Sequence, residues 1–153
     1  MRTMTGDLIG LAKEGHFDVI AHGCNCQHVM GAGLAAQIRR HWPEAYAADL
    51  ATPLGVSAKL GTCSFAVVRT GESELHVVNA YSQFGFGRDR VHVDYDAVRR
   101  CMAWLRSTYA GRRIGLPQIG AGLGGGDWDR IEAIIRHELG GEDVTILQFA
   151  GAP

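Results

Sequence analysis

A repeated tetrapeptide, Gly-Ala-Gly-Leu at residues 31–34 and 120–123, is the feature of this chain that most directly indicates chemistry. Each copy follows an apolar, strand-like segment and precedes a segment with the apolar spacing of a helix. Glycine lets backbone N–H groups come close to a phosphate, and a helix N-terminus adds partial positive charge. The two copies therefore predict two anion-binding loops, and a ligand with either two phosphates or a phosphate and a polar sugar.

Two polar side chains, His22 and Asn25, lie between a predicted buried strand and the first loop. The amide of Asn25 can bind sugar hydroxyls or orient a water molecule, although asparagine also stabilises turns through its own backbone. The imidazole of His22 can act as a general acid or base, because the ordinary pKa of histidine is about 6.5. A histidine flanked by apolar residues is also common as a structural side chain. Next to a phosphate-binding loop, both residues are candidate catalytic groups.

Three alternative interpretations of these loops are less favourable. His22, Cys24, Cys26 and His28 alternate as zinc ligands could, but one-residue gaps fit poorly with the usual gaps of two to four residues. A nucleophilic thiol at Cys24 or Cys26 is a second alternative, given a nearby helix N-terminus. The glycines also match a dinucleotide-binding pattern, but the first copy begins well after the strand ends, where a Rossmann turn is immediate. Neither a metal nor a cofactor is expected.

Residues near both ends of the chain can contact a base. Asp7 stands at a turn, where its carboxylate either caps the first helix or accepts from the amino group of a base. Phe149 ends the last apolar run and either flanks a base or packs at the rim of the core.

The loop over residues 81–91 is rich in glycine and aromatic residues. Phe84 and Phe86 can stack on a sugar or a base, or simply pack against the protein. Arg88 and Arg90, in the same loop, are expected to be solvated.

Strands and helices alternate along the chain, and the short central strands are continuous apolar runs, typical of strands buried on both faces. Strands are predicted at 1–5, 17–21, 60–68, 75–80, 113–116 and 144–149, and helices at 7–13, 32–42, 43–50, 95–109 and 127–139. The pattern predicts an α/β fold, in three α/β/α layers with a mixed, largely parallel central sheet. Ligands of such sheets bind beyond the carboxyl ends of the strands, where both glycine loops fall.

The composition narrows the function further. At 153 residues the chain is predicted to form one domain over 1–153. Its net charge of −1 argues against non-specific binding to long nucleic acid, which requires a basic face. No stretch approaches the roughly 20 apolar residues of a membrane span, and no secretory leader is evident, so a cytoplasmic protein with free thiols and no membrane partner is expected.

These residues together resemble the macrodomain family, whose members bind ADP-ribose, and the resemblance covers nearly the whole chain. In that family the aspartate of the motif matched by Gly6-Asp7-Leu8 bonds the adenine amino group. Asn25 matches an asparagine that contacts the distal ribose, and the second glycine segment matches a loop that binds the diphosphate. The ligand-binding residues that the resemblance implies are Asp7, Leu8, Gly31, Ala32, Gly33, Leu34, Gly120, Ala121, Gly122, Leu123, Gly124 and Phe149.

Within the family, the string at residues 22–26 is similar to the branch of ADP-ribose-1''-phosphate phosphatases, in which a histidine at this position is a catalytic candidate. The chain is also similar to short macrodomain proteins of bacteria and phages. A further branch, which hydrolyses ADP-ribose esters and ADP-ribosyl bases, uses a lysine where this chain has Tyr81-Ser82-Gln83. Some members of that branch add an aspartate where this chain has Gly124. A lysine–aspartate mechanism is therefore not expected.

The resemblance implies one of two functions. The first is a hydrolase that removes the 1''-phosphate of ADP-ribose-1''-phosphate, or an ADP-ribosyl group from a protein or nucleic acid. In it, His22 would transfer a proton and Asn25 would position the ribose and a water molecule. The second is a module that binds ADP-ribose or an ADP-ribosylated partner without turnover.

Overall fold

Six strands form a single sheet in a computed structural model that describes residues 1–149. The strands are β1 (Arg2–Thr5), β2 (Val19–Cys24), β3 (Cys63–Thr70), β4 (Ser73–Tyr81), β5 (Ile114–Pro117) and β6 (Val144–Gln148). The helices are α1 (Leu8–Lys13), α2 (Gly33–His41), α3 (Pro43–Leu50), α4 (Tyr95–Tyr109) and α5 (Trp128–Leu139), with a short 3-10 turn at Ser57–Lys59. No helix within residues 1–149 combines the length and apolar character that crossing a membrane requires.

The strand order is β1-β6-β5-β2-β4-β3, and only the β3–β4 pair is antiparallel. A tight hairpin joins these two strands: Thr70 pairs with Ser73, and Gly71 in the turn has a φ of 64°. Glycine adopts this left-handed conformation without steric cost. Because the other strand pairs are parallel, the prediction of a mixed, largely parallel sheet is confirmed.

Two hydrophobic cores lie on opposite faces of the sheet. Because side chains alternate along a strand, Ile20 and Val77 point to the core under α1, α2 and α3. Their neighbours Ala21 and Val78 point to the core under α4 and α5. The chain thus forms the three α/β/α layers that its alternating pattern predicts.

Some predicted boundaries were wrong. The helix predicted from residue 7 begins one residue later, at Leu8, because Asp7 is its N-cap and accepts from the backbone N–H of Ile9, which is one of the two roles predicted for Asp7. The strand predicted at residues 17–21 is β2, which continues to Cys24 because Cys24 still pairs with Tyr81 of β4. Pairing with a distant strand decides where β2 ends, and the local sequence does not record it.

Candidate functional site

The two glycine loops touch at the carboxyl edge of the sheet. The first glycine loop (residues 31–34) follows β2, and the second (residues 120–126) follows β5, which pairs directly with β2. The loops therefore start from adjacent strands. Leu123 Cδ1 lies 3.1 Å from the position that a Cβ atom on Gly33 would occupy. The two copies of the tetrapeptide, which are far apart in the sequence, are therefore neighbours in the structure.

A first cleft of about 600 Å³ opens between the loops at the end of β2. His22 and Asn25 line it, together with a glycine from each loop, Gly31 and Gly120. The predicted catalytic candidates thus share one cavity with both predicted anion-binding loops.

A second cleft of about 880 Å³ extends from the same loops toward β1 and β6. Asp7, Leu8, Ala121 and Phe149 line it. The two clefts share lining residues from both loops, which are Ala32, Gly33, Leu34, Gly122 and Leu123. The clefts are therefore joined, and each of the predicted site residues borders at least one of them, including Gly124 in the first.

The first loop leaves the N-terminus of α2 open. The N-cap residue Ala32 has no side chain that could accept from the first helical N–H groups, and Gly33 enters the helix with a φ of 58°. Unpaired N–H groups at a helix N-terminus bind anions through hydrogen bonds and the helix dipole. This end of the helix can therefore hold a phosphate.

The second loop offers amides in a different way. Its following helix, α5, is capped by Asp127, whose carboxylate accepts from the N–H of Asp129, so α5 has the side-chain cap that α2 lacks. Within residues 1–149, however, no acceptor receives the N–H groups of Gly122, Leu123 and Gly124. The second loop can therefore bind an anion through its own backbone rather than through a helix N-terminus.

Glycines of the second loop serve two different purposes. A Cβ atom on Gly120, which has a φ of 76°, would lie 2.6 Å from Val93 Cγ2. A Cβ atom on Gly122 would meet nothing within 4 Å of the protein. Gly120 therefore allows close packing of the loop on α5 and its neighbours, whereas Gly122 keeps the junction of the clefts open.

Asn25 both shapes the first cleft and lines it. Its Nδ2 donates to the Val29 carbonyl over 2.7 Å, and its Oδ1 accepts from the Gln27 N–H over 2.9 Å. The side chain is buried, at 8% exposure, and its amide holds the turn that leads to the first loop. One N–H of its amide has no recorded acceptor in residues 1–149 and is available to a ligand.

His22 is neutral in the folded protein. It is 1% exposed, and its Nε2 lies 2.8 Å from Oδ1 of Asn79. Because Nδ2 of Asn79 donates to the Ala45 carbonyl, the Asn79 oxygen accepts from the imidazole, which therefore carries its proton on Nε2. Burial lowers the pKa of His22 to about 4, against a smaller opposing effect of the bond to Asn79. Only Nδ1 remains as a weak proton acceptor.

The surroundings of the cysteines in the 22–28 string favour neither a metal site nor a thiolate. Burial raises the pKa of the Cys24 thiol well above its ordinary value, and it also raises that of Cys26. His28 contacts the Thr52 carbonyl with its Nε2 at 2.8 Å instead of facing the cysteines. Over the described part of the chain, no three His, Cys, Asp or Glu side chains are grouped to hold a metal ion.

Neither lysine lines a cleft in the described structure. Lys59 is buried against Asp49, with 3.6 Å between Nζ and Oδ1, and its ammonium lies 4.3 Å from the centre of the Tyr81 ring. The Tyr81 hydroxyl donates to the same carboxylate over 2.7 Å. Lys13 contacts His41 at the surface. Nothing in the sequence around the two lysines predicts that Lys59 is buried and paired with Asp49.

Arg88 lines both clefts, although the sequence predicts only a solvated residue there. Its side chain is exposed, as expected, but the 81–91 loop carries it to the junction. The density of glycine and aromatic residues in that loop was the available signal.

Comparison with known proteins agrees with this architecture. The Macro domain family matches residues 21–135. An uncharacterised 17.5 kDa protein from the tk-vs intergenic region of Enterobacteria phage T4 is 36% identical over 154 residues, covering 97% of this chain and 96% of the phage protein. A protein of unknown function from Bacteroides thetaiotaomicron is 26% identical, with a TM-score of 0.76 and coverage of 96% of both chains. Thermosipho africanus DarTG, solved in complex with ADP-ribose, shares the fold at 14% identity and a TM-score of 0.74, covering 99% of this chain and 42% of DarTG.

Proposed function

This chain belongs to the Macro domain family, and on that premise we propose that it binds ADP-ribose, either free or attached to another molecule, in its two joined clefts. The observation that carries the proposal is the junction of the clefts, where the second loop, with its unpaired N–H groups, contacts the open N-terminus of α2. A pyrophosphate needs such a concentration of donors, since each phosphate accepts several hydrogen bonds.

The two ends of ADP-ribose fit the two clefts. The adenine enters the second cleft, where Phe149 is 67% exposed and offers an aromatic face. Oδ1 of Asp7 is occupied by the N–H of Ile9, and its second oxygen accepts from the adenine amino group. The distal ribose enters the first cleft, beside the amide of Asn25.

Calorimetric titration with ADP-ribose, AMP and ribose 5-phosphate tests this placement. AMP reaches only the second cleft and the junction, and ribose 5-phosphate reaches only the first cleft and the junction. ADP-ribose should therefore bind at least about tenfold more tightly than either fragment, because joining two fragments makes the second contact intramolecular. AMP binding as tightly as ADP-ribose, or no binding of ADP-ribose, would overturn the proposal.

A matched pair of variants ties the binding to the junction. Gly122→Val places side-chain atoms where both clefts meet, and it should abolish binding. Gly141→Val provides the control, because a Cβ atom there also meets nothing within 4 Å but lies beyond the far end of α5. Equal affinities of the two variants would place the ligand elsewhere.

Hydrolysis at the distal ribose is a second candidate function, favoured by His22 and Asn25, which both line the first cleft. With ADP-ribose-1''-phosphate, water would attack phosphorus and the bond to the C1'' oxygen would break. The products would be ADP-ribose and inorganic phosphate. With an ADP-ribosylated protein or nucleic acid, water would instead replace the macromolecule at C1''. Asn25 would position the ribose and the water.

The environment of His22 supports binding without turnover. A base of pKa about 4 is weak at neutral pH, and its Nε2 is committed to Asn79. Incubation with ADP-ribose-1''-phosphate, with free phosphate as the readout, separates the two functions. Phosphate release that is lost in Asn25→Ala and in His22→Ala would support the hydrolase with both roles. Binding with neither phosphate release from this substrate nor ADP-ribosyl release from an ADP-ribosylated protein would support the non-catalytic module.

A further inference from the structure

We propose that Arg88 binds the phosphates of the ligand where the two clefts meet, and that it makes the site selective for ligands with a further anionic group in the first cleft. This inference rests on the proposed function and names a residue and a selectivity that the fold alone does not require.

The first argument is position. The residues that line both clefts come from the two glycine loops and their flanks, with Arg88 as the one contribution from the 81–91 loop. A group that borders both clefts lies at their junction, where a pyrophosphate would sit. A phosphate at this junction would therefore lie within reach of both Arg88 and the backbone amides of the loops.

The second argument is charge. With His22 neutral, Arg88 is the one formally charged side chain among the described residues that line the first cleft. The second cleft adds Asp7 and Arg90. A dianion at the junction thus meets a single nearby cation that belongs to both clefts, and a guanidinium binds phosphate oxygens in a bidentate manner.

The third argument is that Arg88 keeps its charge available. Its neighbour Asp89 accepts from Nε2 of His92 over 2.8 Å, and this bond lowers the pKa of the Asp89 carboxyl. Within residues 1–149, no hydrogen bond or ion pair of the Arg88 guanidinium is present, so its donors are free for a ligand.

The fourth argument is that the loop is fastened at both ends to the site. The N–H of Cys26 donates to the Phe84 carbonyl over 3.0 Å, and the N–H of His92 donates to the Gly124 carbonyl over 2.9 Å. These bonds tie the segment that contains Arg88 to the residues that follow β2 and to the second glycine loop. The backbone on both sides of Arg88 is therefore fixed beside the clefts, and its side chain stays free to reach a ligand.

Arg88→Ala tests the inference, with Arg112→Ala as the matched control. Arg112 is also exposed, but it precedes β5 and so lies at the amino end of that strand, away from the clefts at the carboxyl ends. Arg88→Ala should weaken ADP-ribose binding about tenfold or more, since hydrogen bonds to charged groups are the strong ones. Arg112→Ala should stay within twofold of the parent protein.

Two further readouts separate binding from a merely structural effect. The dissociation constant of the parent protein should rise with salt, and Arg88→Ala should flatten that dependence. ADP-ribose-1''-phosphate should bind the parent protein more tightly than ADP-ribose, and this preference should vanish in Arg88→Ala. Arg88→Lys should recover the salt dependence but only part of the affinity, because lysine lacks the planar fork.

The outcomes distinguish this inference from its premise. If the parent protein binds ADP-ribose and Arg88→Ala binds it within threefold, the inference on Arg88 is wrong while the proposed function stands. If the parent protein binds no ADP-ribose, the proposed function fails and the inference fails with it.

Discussion

The imidazole of His22 donates to the side-chain oxygen of Asn79 over 2.8 Å, between two residues that are directly paired across β2 and β4. Both side chains are fully enclosed, and Nδ2 of Asn79 continues the chain of bonds to the Ala45 carbonyl of α3. The neutral form of the histidine is therefore built into the layer beneath the first cleft, with consequences for stability as well as chemistry.

His22 should make the fold sensitive to acid. Its pKa is about 4 in the folded protein and near 6.5 in the unfolded chain, so the unfolded chain takes up the proton first as the pH falls. The free energy of unfolding should therefore be full above pH 6.5 and should drop by about 3 kcal/mol between pH 6.5 and 4. Urea unfolding at several pH values gives the free energies of unfolding of the parent protein and of His22→Gln, whose side chain does not titrate. The difference between these two free energies should change by this amount between pH 6.5 and 4. A constant difference across that range would contradict it.

The second glycine loop should separate packing from binding. Gly120→Ala puts a Cβ atom against Val93 and requires a left-handed backbone, so it should lower the free energy of unfolding by about 1–3 kcal/mol. Gly122→Ala meets no protein atom and should leave stability within about 0.5 kcal/mol. Thermal or urea unfolding of the two variants checks this contrast, and equal losses would show that the loop is not packed as described.

Asp7 should have one role in stability and another in binding. Asp7→Ala removes the N-cap of α1 and should cost about 1 kcal/mol. Asp7→Ser keeps an oxygen for the N–H of Ile9 and should restore most of that stability. Neither variant keeps the second carboxylate oxygen, so both should bind ADP-ribose more weakly. If Asp7→Ser retains the parent affinity, the carboxylate does not contact the adenine.

The buried pair of Lys59 and Asp49 should be costly to break from one side. Lys59→Met leaves the Asp49 carboxylate enclosed with only the Tyr81 hydroxyl and should destabilise the protein by about 3–5 kcal/mol. Adding Asp49→Asn removes the stranded charge and should recover a large part of the loss. Lys13→Met, at an exposed lysine, serves as the control for urea unfolding. If Lys59→Met lowers the free energy of unfolding by less than about 1 kcal/mol, the pair does not contribute to stability as described.

Features written in local sequence could be predicted. Pro43 fixes the start of α3, and the spacing of Val98, Met102 and Leu105 gives α4, so both helices have the predicted bounds. The repeated glycine tetrapeptide marks the loops, because the need for close backbone approach is visible in the residue type.

Features that depend on distant partners could not be predicted. The bond of His22 to Asn79 joins residues 57 positions apart, and no local pattern records it. The position of Arg88 depends on bonds that tie its loop to Cys26 and Gly124, in other parts of the chain. The proton-transfer role of His22 and the binding roles of the cleft residues remain predictions that the experiments above address.

The contact between Leu123 and Gly33 joins loops that lead into different layers, α2 over one core and α5 over the other. A molecule bound by both loops would link the two helical layers across the sheet. Because a ligand that binds only the native state suppresses global unfolding, its binding would slow proteolysis of both helical layers together, far from the junction.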